Sequence, residues 1–279
     1  MHNPAVISPS SPPTRDEIAI ADHIEAAAWR SMFALAPPPM GLVAERLAGG
    51  TALIAPSIPV SLMNRVIGLG VDEPVSGSAL DAIVARYRAA GSKSFWVHVS
   101  PIGEEARLVT ELEARGFALA SRPTWAKVLR GTEPPPEIET PFALREVHPD
   151  RALELAHVLL AAHGMPPAMA PWTAAMVGAG GFRAFAAFDA ADAIVAGGFL
   201  YQDRMGAWLG LGGTAASHRR RGAQGALMTL RIREAIAAGA THIATETGEP
   251  MNDEPNPSLA NMYRVGFRCV ASRRNFALG

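Results

Sequence analysis

A series of short segments occurs twice in the chain, in the same order. Each half has an apolar-Gly-Leu-Gly run, a helical stretch ending in Ala-Ala-Gly, a β-like run, a Gly-Phe pair and an Ala-Ser-Arg triplet. The matched segments are residues 67–70 and 209–212, 89–91 and 237–239, 94–99 and 242–247, 116–117 and 266–267, and 120–122 and 271–273. One such pair can arise by chance in Ala- and Gly-rich sequence, but the shared order favours an internal duplication. A duplicated chain is expected to fold as two similar units.

A proline-rich segment separates the two halves. Residues 131–140 read Gly-Thr-Glu-Pro-Pro-Pro-Glu-Ile-Glu-Thr, and three consecutive prolines exclude a helix and favour an extended spacer. We therefore predict a domain over residues 15–130, a linker over 131–140 and a second domain over 141–279. Residues 1–14 are rich in proline and serine and are expected to form a disordered leader.

Composition narrows the class of protein. With 49% hydrophobic residues, 18% charged residues and a net charge of −1, the chain can build a core and gives no support for a nucleic-acid or membrane-surface binder. Cys269 is the only cysteine and no HExxH motif occurs among the eight histidines, so we predict no disulfide and no metal site. The sequence shows no secretory signal and no apolar run of about 18 residues, which predicts a cytoplasmic protein.

One turn in the second half has the composition of an anion site. Residues 213–227 follow a predicted strand, contain three consecutive arginines at 219–221, and lead into a predicted helix. The N-terminus of a helix presents free backbone N–H groups and a partial positive charge. Gly222 and Gly225 remove side chains that would block a close approach. The turn therefore predicts a phosphate or pyrophosphate site, although it matches neither the P-loop nor the dinucleotide fingerprint.

The matching turn of the first half lacks these features. Gly70 and Gly91 lie 21 positions apart, whereas Gly212 and Gly239 lie 27 positions apart, so the first half is shorter at this turn. Residues 71–74 there read Val-Asp-Glu-Pro. Acidic residues and a proline are poor ligands for a pyrophosphate, so the first half is predicted not to bind one.

The second half resembles the GCN5-related N-acetyltransferase (GNAT) superfamily. Its acyl-CoA signature, [QR]-x-x-G-x-[GA], is matched by Arg219 and Gly222, while Gln224 stands where the family has Gly or Ala. Residues 246–249, Glu-Thr-Gly-Glu, are similar to a strand segment of the family, and residues 256–267 are similar to its last helix and Gly-Phe. The resemblance covers roughly 141–276. It implies an α/β fold with two GNAT-like domains in tandem, each a mixed, mostly antiparallel sheet flanked by helices.

The resemblance implies an N-acetyltransferase. Such an enzyme transfers the acetyl group of acetyl-CoA, its co-substrate, to a primary amine of a small molecule or peptide by direct attack. The residues implied to bind acetyl-CoA are Gly212, Gly213, Thr214, Arg219, Arg220, Arg221, Gly222, Ala223, Gln224, Gly225, Ala226 and Asn256. Two alternatives concern these residues: the glycines at 210, 212 and 213 can simply form a bulge, and Asn256 can cap a helix.

Two residues are implied to be catalytic. Glu246, at the end of a predicted buried strand, is the candidate general base, and Tyr263 is the candidate general acid toward the departing thiolate. The register of the last helix is ambiguous, because counting from Asn256 selects Tyr263 whereas counting back from Gly266 selects Met262. A structural carboxylate and a surface tyrosine are the alternative interpretations.

Other parts of the chain have less specific interpretations. The apolar, Met-rich stretch 165–176 either receives the acceptor amine or packs in the core. His157 and His163 are interpreted as residues at the edge of the core. The two halves are expected to pack as a pseudo-dimer within a monomer, or the chain dimerises. A non-catalytic acyl-CoA-binding or regulatory protein, and a domain for another phosphate ligand, remain competing hypotheses.

Overall fold

The computed structural model describes residues 12–58, 60–92, 94–102, 104–251 and 254–279. The predicted leader lies outside these residues except for positions 12–14, of which Thr14 forms a capping box with Glu17 at the start of the first helix. The elements of the first half are α1 (Arg15–Ala34), β1 (Val43–Leu47), β2 (Gly50–Ile54), β3 (Arg65–Leu69), α2 (Gly77–Ala89), β4 (Phe95–Val99), α3 (Glu105–Glu113) and β5 (Ala118–Arg130).

The second half repeats the last five of these elements in the same order. Its elements are β6 (Ala143–Glu146), α4 (Ala152–His163), α5 (Ala170–Ala175), β7 (Phe182–Phe188), β8 (Ile194–Asp203), β9 (Gly206–Thr214), α6 (Ala223–Ala237), β10 (Ile243–Gly248), α7 (Pro257–Arg264) and β11 (Arg268–Leu278). The series β3-α2-β4-α3-β5 corresponds to β9-α6-β10-α7-β11. The order of elements inferred from the repeated segments is therefore confirmed.

The strands form one continuous sheet that runs through both halves. Their order is β1-β2-β3-β4-β11-β5-β10-β9-β8-β7-β6. The pairs β3–β4 and β9–β10 are parallel, and the other neighbouring pairs are antiparallel. The α/β class and the mixed, mostly antiparallel sheet are confirmed, but the sheet is shared between the two units rather than divided between them.

The last strand of each half pairs with a strand of the other half. β5 pairs with β10 of the second half, while β11 pairs with β4 of the first half, and the two exchanged strands are neighbours at the centre of the sheet. The order is therefore symmetric about the β11–β5 pair for four strands on each side, and β6 adds one strand at the edge of the second half. Cutting the chain at residues 131–140 would leave each half without the strand that completes its sheet.

Helix α1 also crosses the junction between the halves. It packs on β1, β2 and β3 of the first half and on β9 and β10 of the second. Trp29 of α1 lies edge-on to Trp208 of β9, with ring centroids 6.1 Å apart, and Phe33 lies edge-on to Trp172 of α5 at 5.5 Å. These aromatic contacts belong to a single core cluster that contains residues of both halves. Among the described residues, no helix is both long enough and apolar enough to cross a bilayer.

Charged side chains are buried beneath α1 at this junction. Glu25 accepts hydrogen bonds from Arg65 of β3 at 2.7 Å and from Arg273 of β11 at 2.8 Å, and it is also paired with Lys127 of β5. Asp22, one turn earlier, pairs with Arg273 at 3.1 Å. Burial by itself raises the pKa of Glu25, but the three cations outweigh burial and hold that pKa well below its usual value. The carboxylate of Glu25 is therefore ionised.

Replacing Glu25 with glutamine is expected to lower the free energy of unfolding by about 3–5 kcal/mol, because buried cations lose their counterion. Chemical denaturation at neutral pH measures this change. The matched control is Glu45→Gln, since Glu45 pairs with Arg86 at the surface with both side chains about one-third exposed. Breaking that pair is expected to cost about 1 kcal/mol or less. Equal effects of the two variants would show that the buried cluster does not hold the halves together.

Candidate functional site

Strands β9 and β10 are paired at their beginnings and then separate. The parallel pairing joins Ile243 to Ala207 and Ala244 to Trp208, and it does not continue beyond these residues. Thr245 bridges the start of the gap by donating its hydroxyl hydrogen to the carbonyl of Leu209 at 2.6 Å. The divergence opens the sheet between the two strands, and two cavities meet there.

A bulge in β9 lies beside this gap. The register between β8 and β9 shifts between the Gly197–Gly213 and Phe199–Gly210 pairs. Leu211 has a φ of 51°, a left-handed conformation that is uncommon for a residue other than glycine. The bulge takes backbone groups out of the sheet ladder and leaves them available for other partners. The glycine bulge considered from the sequence is therefore present, and it is compatible with a binding role.

The outer cavity is an open cleft of about 690 Å³ at the N-terminus of α6. Helix α6 follows Gly222, whose φ is 78°, and no side chain of the described residues caps it. The first-turn N–H groups are therefore free to bind a ligand. Residues expected from the sequence to bind the cofactor line this cleft, namely Gly212, Gly213, Thr214, Arg219, Arg220, Gly222, Ala223, Gln224 and Gly225. The walls also include His218, Ser258, Asn261 and Arg264, which sequence reasoning did not assign.

Three residues expected in the same set lie elsewhere. Arg221 places its guanidinium 4.7 Å from the ring centre of Phe142, Ala226 is buried inside α6, and Asn256 caps α7. The Asn256 side chain accepts hydrogen bonds from the N–H groups of Ser258 and Leu259 at 2.9 and 3.1 Å. The structure therefore favours the capping interpretation of Asn256.

The segment 131–140 packs against α6. A Cβ atom on Gly222 would lie 2.1 Å from the carbonyl oxygen of Glu139, and one on Gly225 would lie 3.1 Å from Ile138. The hydroxyl of Thr140 also donates to the carbonyl of Arg221 at 2.9 Å. The absence of side chains at Gly222 and Gly225 therefore makes room for the linker. The sequence-based prediction explained these two glycines by the close approach of a phosphate. The linker also forms one wall of the cleft, through Ile138.

Gln224 lies where the two cavities meet. Its amide nitrogen donates to the hydroxyl of Ser258 at 3.0 Å, and its amide oxygen accepts from Asn261 at 2.8 Å. These bonds tie the first turn of α6 to α7. Gln224 lines both cavities, as do His163, Gly212, Thr247 and Ser258.

The inner cavity has a volume of about 310 Å³ and lies between α1, α4, α5 and the diverging strands. Its wall is largely apolar and contains tryptophan, methionine and leucine side chains from both halves. They are Trp29, Met32, Leu62, Met63, Trp125, Leu159, Leu160, Met165, Met169, Trp172, Met176, Trp208, Leu209, Leu211, Met228 and Met262. The Met-rich stretch 165–176 therefore lines a cavity as well as packing in the core.

Glu246 of β10 brings a carboxylate to this cavity. Its side chain is 6% exposed, and it accepts a hydrogen bond from the indole N–H of Trp208 at 2.9 Å. Lys127 stands directly opposite on β5, with its ammonium nitrogen 3.7 Å from the carboxylate. Burial, and then the negative charge of Glu25, raise the pKa of Glu246. A raised pKa makes this carboxylate a better proton acceptor than an ordinary glutamate.

Solved structures share this architecture over nearly the whole chain. A tandem GNAT protein from the clavulanic acid biosynthesis pathway aligns with a TM-score of 0.63, 14% identity and coverage of 96% of this chain and 97% of that one. A GCN5-related N-acetyltransferase from Kribbella flavida gives 0.62, 16%, 92% and 95%, and one from Sphaerobacter thermophilus gives 0.61, 14%, 96% and 94%. This chain has the tandem GNAT fold. Its sequence matches no protein-family model and no curated protein.

The first half of this tandem GNAT fold has a different turn at the corresponding place. Ser76 caps α2 by accepting from the N–H of Ala79, so one of the first-turn N–H groups is already paired. Asp72 is paired with His23 at 2.7 Å. The nearby cavity measures about 150 Å³, much less than the cleft at α6. These features distinguish the turn of the first half from the one at α6, and the absence of cofactor binding in the first half stays a prediction.

His163, the last residue of α4, lies beside the bulge of β9. Its Nε2 atom is 3.6 Å from the position of a Cβ on Gly213, and the ring lines both cavities. Desolvation lowers its pKa, which favours the neutral imidazole. Sequence reasoning placed His163 at the edge of the core, because the spacing within α4 carries no information about the distance to β9.

The structure resolves the register of the last GNAT helix. Met262 is buried and lines the inner cavity, whereas Tyr263 is 37% exposed and faces the thiol of Cys269. Burial of the hydroxyl, and then the neighbouring Cys269, raise the pKa of Tyr263 to about 12. Counting back from Gly266 therefore gives the residue that faces the cavity. Tyr263 is not brought to the two cavities.

Replacing Tyr263 with phenylalanine is expected to leave kcat almost unchanged, because the hydroxyl faces Cys269 rather than the cleft. Release of free thiol from acetyl-CoA in the presence of an amine measures this rate. A loss of about a hundredfold in kcat, the size of a general-acid contribution, would show that Tyr263 takes part in the reaction.

Proposed function

We propose that this protein is an N-acetyltransferase that transfers the acetyl group of acetyl-CoA to a primary amine of a small molecule or peptide. The site lies in the second half. One observation carries the proposal: the gap between β9 and β10 joins an arginine-lined cleft at a free helix N-terminus to a largely apolar cavity lined by Glu246. An acyl donor and an amine entering from opposite sides would meet at this gap.

The outer cleft fits the chemistry of a coenzyme A ester. Arg219, Arg220 and the free N–H groups of the first turn of α6 would hold the pyrophosphate, since guanidinium groups and helix N-termini both bind phosphate oxygens. The cleft then follows β9 from Thr214 to Gly212, where the bulge is found. Backbone N–H groups released by the bulge would stabilise the negative charge that develops on the thioester oxygen.

Glu246 would prepare the amine for attack. Its carboxylate would take the proton from the ammonium group, directly or through a water molecule, and leave a neutral amine. The amine nitrogen then bonds to the carbonyl carbon and gives its second proton to water, and the bond from that carbon to sulfur breaks. Because Tyr263 faces Cys269, we assign protonation of the thiolate to water rather than to this residue.

Calorimetric titration with acetyl-CoA tests the site. We expect one equivalent to bind per chain, since α2 of the first half carries its own cap and α6 does not. Two equal sites, or no binding, would contradict the proposal. Release of free thiol with a panel of primary amines then tests turnover.

Gln224 favours a second candidate function, a non-catalytic acyl-CoA-binding or regulatory protein. Its bridge to Ser258 and Asn261 crosses the place where the two cavities meet. If the bridge separates the donor from the amine, acetyl-CoA will bind without release of thiol. The Gln224→Ala variant distinguishes the two functions, because removing the bridge would then start turnover.

A further inference from the structure

The inner cavity is built by both halves of the chain. Trp29 and Met32 of α1 and Trp125 of β5 come from the first half, while Trp172 comes from the second. The indole N–H of Trp172 donates to the carbonyl of Met32 at 2.8 Å, which fixes the two walls relative to each other. The first half is thus a structural part of the site in the second half.

The size of the cavity indicates the size of its ligand. A dry, apolar cavity of about 150 Å³ is known to hold benzene. The inner cavity, at about 310 Å³, is roughly twice as large. An aromatic ring with a short alkyl chain therefore fits it.

The charges around the cavity indicate how many ammonium groups it can accept. Among the described residues that line it, Glu246 supplies the carboxylate, while Arg122 and Arg231 carry positive charge. Arg231 is 2% exposed and donates to the carbonyl of Phe199 at 3.0 Å, so its guanidinium is fixed close to β9. One ammonium group can pair with Glu246, whereas a second would be buried against apolar walls and cations at a high energetic cost.

Resting on the proposed acetyltransferase function, we propose that the acceptor is a primary monoamine attached to a bulky apolar group of about the size of an aromatic ring. The apolar group occupies the cavity between the two halves, and the amine lies at Glu246. The first half therefore selects the acceptor, although it binds no acetyl-CoA itself. Polyamines and amino sugars are expected to be poor acceptors, because most of the wall is apolar and offers few partners for their additional polar groups.

The test uses the full chain, acetyl-CoA and three amines: 2-phenylethylamine, 1,5-diaminopentane and glucosamine. We expect kcat/KM for 2-phenylethylamine to exceed that for either of the others by about a hundredfold, which is within the range that pocket contacts give. Equal or faster turnover of the diamine or amino sugar would overturn the inference and leave the acetyltransferase proposal standing. Absence of acetyl-CoA binding would overturn both.

Variants of the first half test its part in the selection. Trp125→Ala is expected to raise the KM for 2-phenylethylamine about tenfold, through loss of apolar contact area, without changing the Kd for acetyl-CoA. The matched control is Trp96→Ala, because Trp96 lies on β4 of the same half, is also half-buried and is not among the residues that line the cavity. Equal effects of the two variants on KM would refute a role for the first half.

A second variant, which fills the cavity, keeps the inference testable if the Trp125→Ala protein does not fold. Leu62→Trp adds volume to a half-buried wall residue and is expected to abolish binding of 2-phenylethylamine while acetyl-CoA still binds. Equilibrium binding of this amine, with CoA present, measures the effect without requiring turnover. Unchanged binding of the amine would place it outside the cavity and overturn the inference.

Discussion

Replacing Glu246 with glutamine is expected to lower kcat by about 10²–10³, the size of a general-base contribution, with little change in the Kd for acetyl-CoA. Glutamine keeps the size of the side chain and can still accept a hydrogen bond from Trp208, but it cannot take a proton. The rate of thiol release at saturating amine measures the effect.

Glu249→Gln is the matched control for this variant. Glu249 lies three residues further along the chain, and its carboxylate accepts a hydrogen bond from Ser272 at 2.9 Å. This variant is expected to keep the wild-type rate. Equal losses of kcat for the two variants would show that the effect comes from removing a negative charge near the site rather than from removing the base.

The pH dependence provides a second measurement of the same assignment. Since burial raises the pKa of Glu246, kcat/KM is expected to rise with pH as this group loses its proton, in a range above that of an ordinary glutamate. Lys127→Met removes a positive charge 3.7 Å from the carboxylate and is expected to move this rise to higher pH. Using the same amine for both proteins cancels the contribution of the amine. A shift to lower pH would contradict the assignment.

Replacing Arg219 and Arg220 together with alanine is expected to weaken acetyl-CoA binding at least tenfold. A hydrogen bond to a charged group is worth about 1.5–3 kcal/mol, and about 1.4 kcal/mol corresponds to a factor of ten. Calorimetric titration at fixed salt concentration measures the Kd. The binding is also expected to become less sensitive to salt, because fewer charges face the phosphates.

Arg221→Ala is the control supplied by the chain itself. The three arginines are consecutive, yet Arg221 lies over the ring of Phe142 while the other two line the cleft. This variant is expected to keep the affinity for acetyl-CoA nearly unchanged. If Arg221→Ala weakens binding as much as the double variant does, the cleft identified at α6 is not the cofactor site.

The sequence was informative where a feature depends on neighbouring residues along the chain. The order of elements in each half follows from local apolar patterns and glycine positions, and it is confirmed. The turn proposed to bind the cofactor is also local, since residues 215–222 join β9 to α6, and most of the expected lining residues do face the cleft. Capping of α7 by Asn256 follows from the same local logic.

The sequence was uninformative where two distant segments meet. Nothing within α1 indicates that Trp29 lies against Trp208, or that Glu25 pairs with Arg65, Lys127 and Arg273. A one-residue ambiguity in the last helix was enough to exchange Met262 and Tyr263, because successive positions of a helix point about 100° apart. The position of His163 beside β9 is likewise a contact between segments that are far apart in the chain.

The sequence by itself determined that the chain is a duplicated α/β protein with a basic, glycine-containing turn before a helix of its second half. Those properties come from short-range periodicity, turn residues and the exposed N–H groups of a helix. Only the tertiary structure decided that the halves exchange their last strands and share one sheet. It also decided that the first half forms part of the wall of the inner cavity. Strand pairing and burial depend on contacts between segments that are far apart in the chain.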